Sequence, residues 1–152
     1  MILTKEQIDG LGIQIESEGS MKFLIFLTAD GNIKRSGSGK MSDVKSDLYI
    51  GQINEPLFDQ AKKSVKENVL EIIGRQIDMP NPEGMSCKLT LLFKVGESLQ
   101  QTVVNYGQKS GLPLELLEIV RTLHELTEPW YQKMKMAANP PEKKKGFWPF
   151  KR

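Results

Sequence analysis

Cys87, Leu89, Leu91, Phe93 and Val95 alternate along the chain without a break. A period of two is the signature of a strand with one face buried. Gly96-Glu97 then turns the chain, and Leu99, Gln101, Val103 and Asn105 oppose Gln100, Thr102, Val104 and Tyr106 in a second extended run. Two such runs joined by a short turn must pair antiparallel. That requirement removes the doubly wound, all-parallel nucleotide-binding folds from consideration.

A second hairpin is expected upstream. Met21 to Thr28 reads as a strand, and Ile33-Lys34-Arg35-Ser36 as its partner. Asp30-Gly31 between them fits a two-residue turn in which both positions take positive φ. Ile13 and Ile15 alternate with polar residues and suggest a further strand, as do Tyr49 to Ile53. Thr4 to Gln7 fits a capping box that opens a short helix, which Gly10 and Gly12 would end. Pro56 can begin a helix carrying Leu57, Phe58, Ala61, Val65 and Val69 at helical spacing. A last helix is expected from Pro113, with Glu115 in its first turn and a stripe of Leu116, Leu117, Val120, Leu123 and Leu126. Pro129 would end it, leaving Trp130 and Tyr131 to fold back as an apolar lid. The expected fold is α+β: a mostly antiparallel sheet of four to five strands, formed by two hairpins, with two main helices packed on one face.

The charge is unevenly distributed. From Lys133 to Arg152 there are seven basic residues and one acid, whereas the whole 152-residue chain is +2, so residues 1–132 carry a net −4. The chain therefore divides into a single domain, 1–132, and a basic, aromatic tail, 133–152. The tail residues Lys143, Lys144, Lys145, Phe147, Trp148, Phe150, Lys151 and Arg152 are candidate partner-binding groups. They suit an anionic membrane surface, where each basic residue gains about 1 kcal/mol, or an aromatic anchor in a protein pocket. Nucleic acid is disfavoured, because the acidic body offers no basic groove. The longest apolar run, Phe23 to Leu27, is too short to cross a bilayer. The N-terminus lacks a signal-peptide pattern, so a cytoplasmic location is the default expectation.

No catalytic, cofactor or metal set is recognised. Ser38-Gly39-Lys40-Met41-Ser42 is similar to a phosphate loop, but Lys34 stands where the first glycine belongs and Met41 where the hydroxyl belongs. Gly37 to Lys40 is instead expected to be a flexible hairpin exit. His124, the sole histidine, is expected to pack at the boundary of the last helix's stripe. Cys87, the sole cysteine, shares a face with Leu89 and Leu91 and reads as an inert buried thiol. The Pro-rich segment Asp78 to Gly84 is expected to be a loop whose carboxylates, Asp78 and Glu83, could contact a protein partner. They offer too few oxygens to hold Ca²⁺. An enzyme using Glu16, Glu18, Asp43 and Asp47 ranks last, because no spacing singles out a pair.

From Tyr49 to Trp130 the chain resembles an uncharacterised family of small bacterial α+β proteins. The resemblance is carried by Gly51-Gln52-Ile53, Phe58, Asp78-Met79-Pro80 and the strand from Leu89 to Val95. It continues through Val103-Val104-Asn105-Tyr106-Gly107, Pro113 and the segment Leu126 to Trp130. It covers a little over half the chain. It implies a fold and no catalytic residues, and the tail lies outside it. The leading expectation is a non-enzymatic protein-binding domain, in concrete form a bacterial immunity protein that neutralises a toxin or effector. The runner-up is a peripheral membrane adaptor using the tail.

Overall fold

A computed structural model describes residues 3–38 and 48–138. Seven strands form one sheet: β1 Gly10–Ser17, β2 Ser20–Thr28, β3 Asn32–Ser36, β4 Leu48–Gln52, β5 Gln76–Asp78, β6 Ser86–Val95 and β7 Ser98–Gly107. Their order across the sheet is β4-β3-β2-β1-β6-β7-β5. All neighbours pair antiparallel except β5 and β7, which are parallel. The helices are α1 Leu57–Lys62, α2 Glu67–Leu70 and α3 Leu114–Ala138, preceded by a 3-10 turn at Lys5–Gln7. There the Gln7 side chain accepts the Thr4 backbone N–H at 2.8 Å, as its capping role requires.

The α+β class and the two hairpins of the sequence reading are present, but the expected count of four to five strands and two main helices is wrong. β5 is the strand the sequence did not suggest, and β1 is longer than the alternation of Ile13 and Ile15 implied. Gly10 and Gly12, read as helix stops, lie within β1, which pairs with both β2 and β6 at the sheet's centre. A Cβ on Gly12 would stand 2.4 Å from Phe26 Cδ1, so the missing side chain is what admits the Phe26 ring. Gln76 to Asp78, with only three residues and no long alternation, forms β5. Val103 N–H donates to Arg75 O at 3.0 Å and Met79 N–H to Asn105 O at 2.9 Å, which fixes its register.

The helices also differ. The run from Pro56 breaks between α1 and α2. The Ser64 hydroxyl donates to the Ala61 carbonyl at 2.6 Å, and Val65 N–H bonds Lys62 O in a tightened turn. Helix α3 does not stop at Pro129 but carries it inside. Leu116, Ile119, Leu123, Thr127 and Tyr131 continue one buried stripe through the proline, and that packing outweighs the lost N–H. Trp130 and Tyr131 are therefore helical and form no folded-back lid. Residues 133–138, assigned to the tail by charge, belong to α3.

One face of the sheet makes the core. Leu11, Ile13, Phe23, Ile25, Ile33, Leu89, Leu91 and Phe93 pack there against Phe58, Ala61 and Val65 and against Leu116, Ile119 and Leu123. No helix among the described residues packs on the opposite face.

Candidate functional site

The open face can be read from the strand registers. One row runs Ile50, Lys34, Phe26, Gly12, Leu92 and Gln101 across six strands. The next runs Leu48, Ser36, Leu24, Gln14, Thr90, Val103 and Gln76. A third holds Glu16, Lys88, Asn105 and Asp78. The face is therefore a band of half-buried Leu24, Phe26 and Val103 around the buried Leu92, with lysines set among it. Lys34 adjoins Phe26, and Lys94 pairs with Leu99 at the far end. Lys88 Nζ lies 3.8 Å from Glu16 Oε1. The acids Glu115, Glu118, Glu125 and Glu128 fall instead on α3. The open sheet face thus carries Lys34, Lys88 and Lys94 beside Glu16 and Asp78, and α3 sets Arg121, Lys133 and Lys135 among its four acids.

Asp78 belongs to this face. Its carboxylate accepts Asn105 Nδ2–H at 2.8 Å, at the β5 end of the third row. It also borders a cleft of about 310 Å³ with Met79, Pro82, Asn105 and Tyr106. Glu83 is exposed in the loop after β5, which is folded down onto Gly107. A Cβ at Gly107 would stand 2.3 Å from the Glu83 backbone. Ser110 Oγ accepts Glu83 N–H at 3.0 Å, and Lys109 N–H donates to Glu83 O at 2.8 Å. Asp78 is thus a strand residue, contrary to the loop expected there, whereas Glu83 lies in a loop held by backbone bonds. The tail candidates Lys143, Lys144, Lys145, Phe147, Trp148, Phe150, Lys151 and Arg152 lie outside the described residues. So do Gly39 to Ser42 of the phosphate-loop comparison, and Asp43 and Asp47 of the carboxylate set.

Where α3 crosses the sheet it meets a buried cation that the sequence reading missed. Arg35, on the core face of β3, is 0% exposed. Its Nη2 lies 2.7 Å from Glu128 Oε1, its Nη1 donates to Thr127 Oγ1 at 3.2 Å, and its Nε donates to Gly37 O at 3.2 Å. The guanidinium stacks over the Tyr131 ring at 4.1 Å. Burial pulls its pKa below the ordinary arginine value, and Glu128 opposes the shift. The alternation of Ile33 and Arg35 could have placed Arg35 on the core face, but nothing in the sequence marks Glu128 as its partner.

His124 sits at the edge of this cluster. Its Nε2 is 3.1 Å from the Ser38 carbonyl, a contact that needs the proton on Nε2, and its ring lies 5.7 Å from that of Phe23. The expected boundary packing is what is found. Cys87 is buried as expected, with Sγ 3.8 Å from Ser17 Oγ. A cleft of about 570 Å³ beside the 3-10 turn mixes Lys5, Lys63 and Lys66 with Glu6, Glu67 and Glu71, and so presents no single sign to a ligand. Among the described residues no group of three or more His, Cys, Asp or Glu is placed to hold a metal, and no helix is long and apolar enough to cross a membrane.

No protein-family model and no curated protein matches the chain.

Proposed function

We propose that the domain is a protein-binding module whose open sheet face receives a folded partner, the concrete form being an immunity protein that neutralises a toxin. The observation that supports this is the row from Ile50 through Lys34, Phe26 and Leu92 to Gln101, to which no helix among the described residues is applied. Apolar area set among charges is the usual composition of a binding surface. The lysines call for a partner that carries carboxylates around an apolar patch. Asp78 stands at the margin of this surface, where an acid would reject a partner docked out of register.

The test is affinity capture from the source cells with the full chain and with Lys34→Glu. The captured protein is then purified and the pair titrated calorimetrically. Lys34 is exposed, so the variant should fold as the parent does. The reading expects one protein that binds the parent at submicromolar affinity and the variant at least tenfold more weakly, a difference of about 1.4 kcal/mol. Equal binding by both chains would remove the face from the proposal.

A further inference from the structure

Among the described residues, the two edges of the sheet are built differently. β5 ends the sheet with three residues, and Pro80 and Pro82 follow it closely. Short strands, prolines and charges are the usual means of blocking an edge. β4 ends the other side with Leu48-Tyr49-Ile50-Gly51-Gln52, which carries neither a charge nor a proline. Its open-face side chains Leu48 and Ile50 are 52% and 60% exposed.

The backbone of β4 is also poised. Ile53 N–H donates to Gly31 O at 2.9 Å, which makes Ile53 and Gly31 a hydrogen-bonded pair. Antiparallel pairing alternates from there, so Gly51 and Tyr49 bond β3, while Leu48, Ile50 and Gln52 turn their N–H and C=O groups outward. Helix α3 roofs this edge. Along its length His124 packs on Phe23 of β2, Glu128 reaches Arg35 of β3, and Tyr131 meets Tyr49 of β4 at 5.7 Å. Trp130 covers Gly51, at 3.1 Å from an ideal Cβ there. The helix then continues to Ala138, about 10 Å beyond Tyr131 at 1.5 Å per residue. A further strand laid along β4 would run beneath that extension, with Lys133 and Lys135 exposed above it and Lys34 beside Ile50 on the opposite face.

We infer that β4 is a strand-addition site that takes an extended, apolar segment of a partner protein with acidic residues at its flanks. Main-chain bonds to Leu48, Ile50 and Gln52 hold the segment, alternate side chains meet Ile50 on one face and the α3 roof on the other, and the lysines select its charge. The inference deepens the binding role proposed above but uses the edge, so the two can fail separately.

The probe is a random library of extended peptides of about twelve residues, panned against the full chain. Enriched peptides should alternate apolar residues, carry Asp or Glu, bind with micromolar Kd and slow amide exchange at Ile50. Ile50→Pro deletes an outward N–H that β3 does not use, a change that edges tolerate, and should weaken binding at least tenfold. Ile50→Val keeps the N–H and should bind nearly as the parent does. N-methylation of alternate peptide amides tests the same bonds without altering the protein, and should abolish binding in one phase of the alternation only. Failure to enrich any peptide would overturn the inference, as would peptides indifferent to N-methylation. Equal binding of the folded partner by Lys34→Glu and the parent, while these peptides bind the parent as described, would sink the face reading alone.

Discussion

Glu128 Oε1 stands 2.7 Å from Arg35 Nη2, and this ion pair fastens α3 to β3 from within the core face. The other carboxylate oxygen, Oε2, accepts Gln132 Nε2–H at 2.7 Å. Removing the acid leaves a buried guanidinium without its counter-charge. A fully buried pair broken this way costs about 3–5 kcal/mol. Glu128 is partly solvated, so Glu128→Gln should cost about 1–2 kcal/mol in urea unfolding. Arg35→Met with Glu128→Gln should lie closer to the parent than Glu128→Gln alone.

The same pair sets a pH dependence. Burial pushes the Glu128 carboxyl up, but the Gln132 hydrogen bond, the Arg35 guanidinium and the His124 charge together hold it below the usual value. A lowered folded-state pKa gives stability that is complete above the unfolded value, about 4.3, and is lost as pH falls through the folded one. The stability gap between the parent and Glu128→Gln should therefore narrow as pH falls below about 4. A gap that widens below about pH 4 would reverse the assigned sign.

Gly12 and Phe26 give a packing test on the open face. An alanine Cβ would meet Phe26 Cδ1 at 2.4 Å and Ile25 O at 2.5 Å. The first contact can relax and the second is backbone. Gly12→Ala should cost about 2–3 kcal/mol. Adding Phe26→Leu should recover part of the loss, since only the ring contact is relieved. Full recovery would mean that the strand, and not the ring, had given way.

What the sequence made legible followed pattern strength. The run from Cys87 to Val95 and its partner after Gly96-Glu97 fold as read, because an apolar residue at every second position over nine residues fixes which face is buried. β1 was half seen, because glycines that serve a neighbour's ring look like helix stops. β5 was missed because its register comes from bonds to Arg75 and Met79, which no side-chain period announces. The Asp30-Gly31 turn was found but not its form: Gly31 alone takes positive φ, 93°, in a three-residue loop. Of the site, Asp78 was picked out for its charge in a supposed loop. Its place at the end of a row with Glu16, Lys88 and Asn105 depends on pairings far apart in sequence.

The turn that was overlooked, Glu18-Gly19, offers a stabilising change. Ser17 pairs with Ser20, and both turn residues have positive φ, 50° at Glu18 and 83° at Gly19. That is the two-residue turn matched to strand twist, and Asn is better than Glu at its first position. Glu18→Asn should raise stability by about 0.5–1 kcal/mol. A loss of stability would indicate that Glu18 makes a favourable contact other than its backbone bond to Ser86 O.

Pro129 is the position at which a local rule and the packed structure conflict most. It lies inside α3, where it cannot donate to the Glu125 carbonyl and its ring crowds that turn. A proline in a helix interior costs about 3 kcal/mol relative to alanine, partly offset by about 0.4–1 kcal/mol from stiffening the unfolded chain. Pro129→Ala should therefore stabilise the domain by about 1–2 kcal/mol, if the helix keeps its path. That path is constrained on both sides: Thr127 and Glu128 hold Arg35 before the proline, and Trp130 and Tyr131 meet Gly51 and the Arg35 guanidinium after it. A straighter helix would lift one of these pairs. The two effects separate in a double variant. If Pro129→Ala stabilises the parent and stabilises Trp130→Ala equally, the proline is only a local defect. If Pro129→Ala stabilises only in the Trp130→Ala background, the proline sets the helix direction that seats Trp130 over β4. Urea unfolding of the four proteins decides between the two outcomes.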